Sequence, residues 1–424
     1  MITLSITSLK HKVKKRIELK EQKTDYSDIG ALIKKKRKEY KLTQSKLCKG
    51  TCSVSYLSKV ENNLIDPNDR YVRELLKKLQ ISEDVVFKSI SDKKFLERVI
   101  EAFFYMDDEE MERIMEEIKD IEHNTIINLC KLGYIVYFEL QDEEQYVMML
   151  EHLINNMSDY EMKVYLYFAS IYYIQNHKYK TALELVLLNN EISDTKEILN
   201  GMISELSYYI KQRLLIKNCA SEDYSNALEI YLKYHNMSRI MYLSLQKAKF
   251  LIPENPKKAK AILHTIQKRN LSKEFVEYYH YLNALVDFEI DNIQDATIQL
   301  SYISEDSKFY FRKMVLLLLI CTIEKDYEMA NNIKDIIKDY KPHRNEMESK
   351  VFYHFMVQES EEDKKEYLRE IAIPFAIKIQ DYLGLEMYTN EYMEICFSTS
   401  RYKEAMQYYK KYQKEISKVK SVLI

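Results

Sequence analysis

Apolar residues recur at i, i+3, i+4 and i+7 through most of this 424-residue chain. That period puts them on one face of an α-helix. Turn formers are too scarce for sheets. Strands need turn residues about every 8–12 positions, and five Gly and five Pro cannot supply them. The pattern predicts an all-α protein. Its length exceeds one ordinary core, so more than one unit is expected.

The first helices are short. The segment DIGALIKKKRKEY puts Ile29, Leu32 and Ile33 on one face and Lys34–Lys38 largely on the other. Thr43 can cap a second helix with Leu47 and Cys48 turned inward. Gly50 then supplies a sharp turn, because positive φ costs glycine little. Ser53 can cap a third helix, VSYLSKVEN, with Leu57 and Val60 inside. Asp66 as cap and Pro67 in the first helical position start a fourth. Ser82 starts a fifth. Two short helices around a Gly turn, inside five, form the helix-turn-helix pattern. The outer face of its second helix is small and hydroxylated. Ser53, Val54, Ser55, Tyr56 and Ser58 let the backbone approach base edges, and Lys59 can reach an acceptor or a phosphate.

Charge sharpens this picture. Residues 1–80 hold 20 Lys and Arg against nine Asp and Glu, a net of +11 in a chain whose total is −2. A basic head on an acidic body suits nucleic-acid binding. The basic run His11–Arg16 reads either as an arm for a DNA groove or as a disordered tail.

After residue 87 the text changes. Two amphipathic helices, the second strongly acidic, lead into a weak repeat from about residue 125. Each copy has an aromatic-rich helix, a polar turn, then an alanine inside a second helix. The alanines are Ala182, Ala227, Ala259, Ala296, Ala330 and Ala405. Their separations of 45, 32, 37, 34 and 75 fit a period near 34 with one degenerate copy in the last gap. The expected segments are a basic N-terminal arm (1–26), a DNA-binding domain (27–90), linker helices (91–124) and a repeat domain (125–424).

Six scattered Cys suit reduced thiols rather than a disulfide framework. Cys48 and Cys52 lack a second pair or a nearby His, so core and turn positions explain them better than a metal. The start lacks the order of a secretory signal. The longest apolar run, Met314 to Ile323, is about half a membrane span and reads as a buried helix. No zinc-protease signature, phosphate-binding Gly loop or nucleophile elbow is present, so neither an enzyme nor a cofactor or metal is expected. The chain reads as cytoplasmic, with no membrane partner.

The head resembles the XRE-type (lambda-repressor-like) helix-turn-helix family in Ile29-Gly30, Arg37, Leu42-Thr43-Gln44, Leu47, Ser58, Glu61-Asn62, Pro67 and Leu75–Leu79. The resemblance implies that Gln44, next to Thr43, grips a phosphate and braces the reading helix, whose base-facing start falls on Ser53, Val54 and Ser55. Cys48 stands where Ala is usual, and Asn63 where Gly is usual. The repeats resemble tetratricopeptide repeats. That resemblance implies a right-handed α-solenoid whose first helices point Tyr209, Gln212, Tyr242, Tyr278, Tyr281, Arg312 and Asn390 at a ligand. Asn and Gln can pair with a peptide's main chain, and Arg with a carboxylate.

An XRE-type head before such an array is similar to the RRNPP group of pheromone receptors, above all its PlcR- and Rgg-type regulators. The similarity implies a homodimer on a two-fold double-stranded DNA operator, with a short signalling peptide in the array. The competing reading is a DNA-anchored scaffold whose array holds a protein partner and no peptide.

Overall fold

The structure is a computed structural model that describes residues 9–15, 29–61, 65, 68–81, 83–121, 124–140, 143–154, 157–192, 196–216, 220–338, 340 and 346–420. Every regular element among them is a helix. The chain forms two compact units, residues 1–172 with 185–196, and residues 173–184 with 197–424.

The first unit opens with α1 (residues 9–15). Its Leu9 and Val13 are buried, and Lys12 pairs with the buried Glu151 at 3.0 Å. This part of the basic segment is therefore neither a free tail nor an extended arm; burial of two aliphatic side chains and an ion pair hold it to its own unit. Helices α2 (Ile29–Glu39), α3 (Gln44–Cys48), α4 (Val54–Glu61) and α5 (Asp69–Lys78) follow. Their core is Ile33, Leu47, Cys48, Leu57, Val72, Leu75, Leu76 and Leu79. The side chains of Ile29 and Leu32 lie outside the described residues, as do Asp66, Pro67 and Ser82. The cap of α5 is Asn68, whose Oδ1 accepts from the Arg70 amide at 3.0 Å, rather than the expected Asp66. Asn is as good a cap as Asp, and the helix simply starts later. Helix α6 (Glu83–Tyr105) runs unbroken through residue 90. The unit continues with α7 (Asp108–Ile118), α8 (Thr125–Tyr137), α9 (Glu143–Leu153) and most of α10 (Asp159–Gln175).

Helix α11 (Tyr179–Asn190) begins in the second unit. The repeats then pair α12 (Glu197–Arg213) with α13 (Ala220–Lys233), α14 (Met237–Leu251) with α15 (Pro256–His264), and α16 (Lys273–Glu289) with α17 (Ile293–Ser301). Further on, α18 (Tyr310–Glu324) pairs with α19 (Tyr327–Ile337). Helix α20 (Met347–Met356) packs on α21 (Glu361–Tyr367), which continues through a π-helical turn into α22 (Ile373–Lys378). Last, α23 (Tyr382–Ser398) pairs with α24 (Tyr402–Lys420). First helices also pack on the next first helices, α12 on α14, α14 on α16, α16 on α18 and α18 on α20, which is the stacking of a solenoid.

All six crossing alanines are buried, each in a second helix. The gap in their spacing is filled by the α21–α22 helix, where Lys365 is buried next to the expected position. Its ammonium is neutralised by Glu362 at 3.3 Å and Glu404 at 3.5 Å. The Met314–Ile323 run is indeed interior. Met314, Val315, Leu318 and Cys321 of α18 pack against Ala330, Ile333 and Ile337 of α19. No described helix is long and apolar enough to cross a membrane.

Candidate nucleic-acid interface and ligand site

The turn between α3 and α4 is built from backbone upward. Gly50 adopts φ +79°, and the Thr51 and Cys52 amides return to the Cys48 carbonyl at 2.8 and 3.2 Å. Thr43 Oγ1 accepts from the Lys46 amide at 3.2 Å, and Ser53 Oγ from the Tyr56 amide at 3.1 Å, so both expected caps are in place. Ser53, Val54, Ser55 and Lys59 are exposed. Ser58 is half-buried, and the opposite face of α4 buries Leu57, Val60 and Glu61.

An ionic brace fixes α4. Arg37 donates Nε and Nη2 to the two Glu61 carboxylate oxygens at 2.6 and 2.8 Å, and Nη1 to the Leu42 carbonyl at 2.9 Å. Gln44 Nε2 also donates to Glu61, at 2.8 Å. Arg37 thus turns inward, because the buried Glu61 demands a paired cation. Tyr56 supports the loop behind α4: its hydroxyl accepts from the Asn68 amide at 2.7 Å and its ring meets Tyr71 edge-on. Burial pushes the Cys48 thiol up to about 12, and its sulfur lies 3.6 Å from that of Cys52.

One contributor was invisible in the sequence. Lys78 Nζ donates to the Leu47 and Lys49 carbonyls at 3.1 and 2.6 Å and to Thr51 Oγ1 at 2.7 Å. A cation on the last carbonyls of α3 satisfies acceptors that the helix leaves open. It comes from α5, 31 residues from Leu47, so no local pattern points to it.

The second candidate site lies on the first helices of the repeats. Along α12 and α14, spacing near one turn aligns Glu205, Tyr209 and Gln212-Arg213, then Tyr242, Gln246 and Lys249. Tyr209 meets Tyr179 and Phe250, with ring centroids 6.3 and 5.7 Å away. Tyr242 packs on Phe275 at 4.8 Å, while Tyr278 stacks on Phe309 at 5.1 Å and Tyr281 on the same ring at 6.3 Å. The Arg312 guanidinium lies over that ring too, 5.6 Å from its centroid. Gln212 is half-buried. Six of the seven expected residues are thus wholly or partly buried; Asn390 is exposed, and α23 buries Tyr388, Thr389 and Tyr392 instead.

Burial raises the phenols of Tyr242 and Tyr278 above the ordinary range and pushes Tyr281 up to about 12. They therefore remain neutral donors at physiological pH. The charges among them were not legible in the sequence. Arg213, at the end of α12, pairs with Glu348 of α20, and its Nη1 lies 3.8 Å from Oδ1 of Asp381, the residue before α23. Its guanidinium also sits over the Tyr179 ring, 5.0 Å from the centroid. The Lys180 amide donates to Gln380 Oε1 at 2.8 Å. The two ends of the second unit thereby meet on the first-helix side. Burial opposes the charge of Glu348, yet Arg213, Lys249 and Arg312 outweigh it and hold its carboxyl down at about 2. Burial raises Asp381 above the usual carboxylate range, since Arg213 faces it only at a distance and Glu348 repels it.

Residues 33–86 match the family of helix-turn-helix domains. Over 402 residues the chain is 24% identical to the transcriptional activator NprA of Geobacillus stearothermophilus, covering 85% of this chain and 96% of that one. Among solved structures, a Rap protein complexed with competence and sporulation factor has a TM-score of 0.63 at 14% identity, over 80% of this chain and all of the other. NprR in complex with its cognate peptide NprX gives 0.60 at 18% identity, over 77% and 99%. The chain thus joins a helix-turn-helix head to stacked helix pairs that share the fold of the Rap and NprR structures.

Proposed function

We propose that this protein is a cytoplasmic transcriptional regulator whose hold on a two-fold DNA operator is set by a short signalling peptide bound along the first helices of its repeats. The observation that carries this reading is the coexistence, in one chain, of an exposed and braced α4 with a buried row of tyrosines and charges on the first helices. The first suits a major groove. The second offers rings for apolar side chains and paired donors for a main chain. The relative named a transcriptional activator and the neighbour solved with its cognate peptide support it.

On DNA, Ser53, Val54, Ser55 and Lys59 face the bases, with Thr43 and Gln44 at the backbone. A dimer places two copies of α4 about one helical turn apart. A peptide bound unequally by two curvatures of the array shifts the population that fits this spacing. No catalytic step is required. A second copy has apolar residues to use: Ile298 on α17, Tyr302 just after it, Ile323 on α18, and Tyr327, Met329 and Ile336 on α19 are exposed. Such exposed apolar residues also suit the alternative, a scaffold for a protein partner.

The test selects operator sequences from random duplexes with the full chain, then compares wild type with Lys59→Ala and Gln44→Ala. A base reader loses affinity on the selected sequence only, and a phosphate contact loses it on all sequences alike. Failure to enrich any sequence contradicts the reading.

A further inference from the structure

The buried arginines differ in how well they are satisfied. Arg37 spends three nitrogens on Glu61 and a carbonyl. Arg239 donates to Glu205 at 2.8 Å, and Glu205 also accepts from the Tyr231 hydroxyl, so that pair is enclosed within its own helices. Arg213 is as buried, with 7% of its side chain exposed, but its partners come from residues 135 and 168 positions away. One is held only at 3.8 Å, and its Nε has no hydrogen-bond partner. The better partner, Glu348, keeps 30% of its side chain exposed, in the first turn of α20. Two further cations, Lys249 and Arg312, act on the same carboxylate. Lys249 rests over the rings of Tyr209 and Phe250. Nearby on α14, the buried Gln246 leaves its Oε1 without a partner.

A guanidinium presents a fork that matches a carboxylate at two points, and a buried donor left unpaired is costly. We propose that Arg213, flanked by Lys249 and Arg312, is the receptor for a carboxylate of the bound peptide, and that Glu348 fills this position in the ligand-free chain as an internal competitor. The inference rests on the peptide reading of this face and adds the chemistry it selects. A ligand carboxylate takes the Arg213 fork, and Glu348 swings toward solvent. Because Glu348 and Asp381 come from segments far along the chain, this exchange also undoes the tie between α12 and α20. Ligand binding and the curvature of the array are thereby linked.

The experiment incubates full-length protein with a random heptapeptide library, made once with free C-terminal carboxylates and once as amides, and sequences what is retained. Wild type should retain peptides enriched in carboxylates. Loss of enrichment in the amide library assigns the group to the C terminus; persistence with Asp or Glu at one position assigns it to a side chain. Glu348→Gln removes the competitor and should tighten binding of the recovered acidic peptides about tenfold, while their neutral analogues change little. Its thermal midpoint should fall without ligand and recover more with an acidic peptide than with the neutral one, a readout that a purely structural role would not move. Retention of peptides with no preference for carboxylates overturns this proposal and leaves the peptide reading standing. Retention of no peptide overturns both.

Discussion

At the scale of single residues, the head depends on charges paired within its own fold. Glu61 has a fully buried side chain and takes hydrogen bonds from Arg37 and Gln44. Replacing it with Gln strands the Arg37 guanidinium and should cost about 3–5 kcal/mol, read as an earlier first transition in thermal unfolding of the full chain. Arg37→Ala should do the same. Lys78→Ala is subtler. It frees two carbonyls and a hydroxyl in a partly exposed place, so about 1 kcal/mol is expected, with weaker operator binding although Lys78 lies behind the reading helix. Unchanged operator affinity in Lys78→Ala would show that the turn holds without it. The caps Thr43 and Ser53 and the inward Leu47, Leu57 and Val60 were legible because they follow local rules of capping and period. Lys78, and the direction taken by Arg37, were not. Their partners lie 24 to 31 residues away, and a run of five basic residues gives no sign of which one turns inward.

At the scale of elements, Gly50 closes α3, but other described helices end without glycine. Many helices close with a residue in the left-handed region, and here Leu215, Asp291, Lys325 and Ser400 occupy it at φ +58°, +60°, +61° and +59°. The hydrogen bonds are those of a Schellman cap: the Asn292 amide returns to Asp287 at 2.8 Å and the Asp326 amide to Cys321 at 2.9 Å. A side chain in this region costs about 1–2 kcal/mol, so Lys325→Gly should raise the thermal midpoint of the repeats. A fall would mean that the lysine side chain contributes more than the strain it imposes. The crossings are less forgiving. Ala296 is fully buried in α17, and Ala296→Leu should destabilise by about 1–3 kcal/mol through overpacking. Gly201 is tighter still, since a Cβ there would lie 2.8 Å from Ile230 Cγ2. The repeat was readable from its alanines because a small residue at a crossing is a steric requirement. The degenerate copy was not, because a lysine neutralised by two carboxylates stands beside the expected position.

At the scale of the whole molecule, the proposed function puts DNA binding and peptide binding in one chain, and the coupling between them is the claim most open to test. Repeat register placed Tyr209, Tyr242, Tyr278, Tyr281 and Arg312 on the first helices, where Tyr209 packs on Phe250, Tyr242 on Phe275, and Tyr278, Tyr281 and Arg312 on Phe309. Arg213, Glu348 and Asp381 escaped notice because their meeting depends on the curvature of the whole array, which no local period encodes. The most direct measurement is the affinity of the full-length protein for its selected operator, with and without a peptide shown separately to bind the repeats. A change of about tenfold or more, equivalent to roughly 1.4 kcal/mol of coupling, is predicted, reduced in Arg213→Gln. Operator affinity that stays constant while the repeats are saturated with peptide would contradict it.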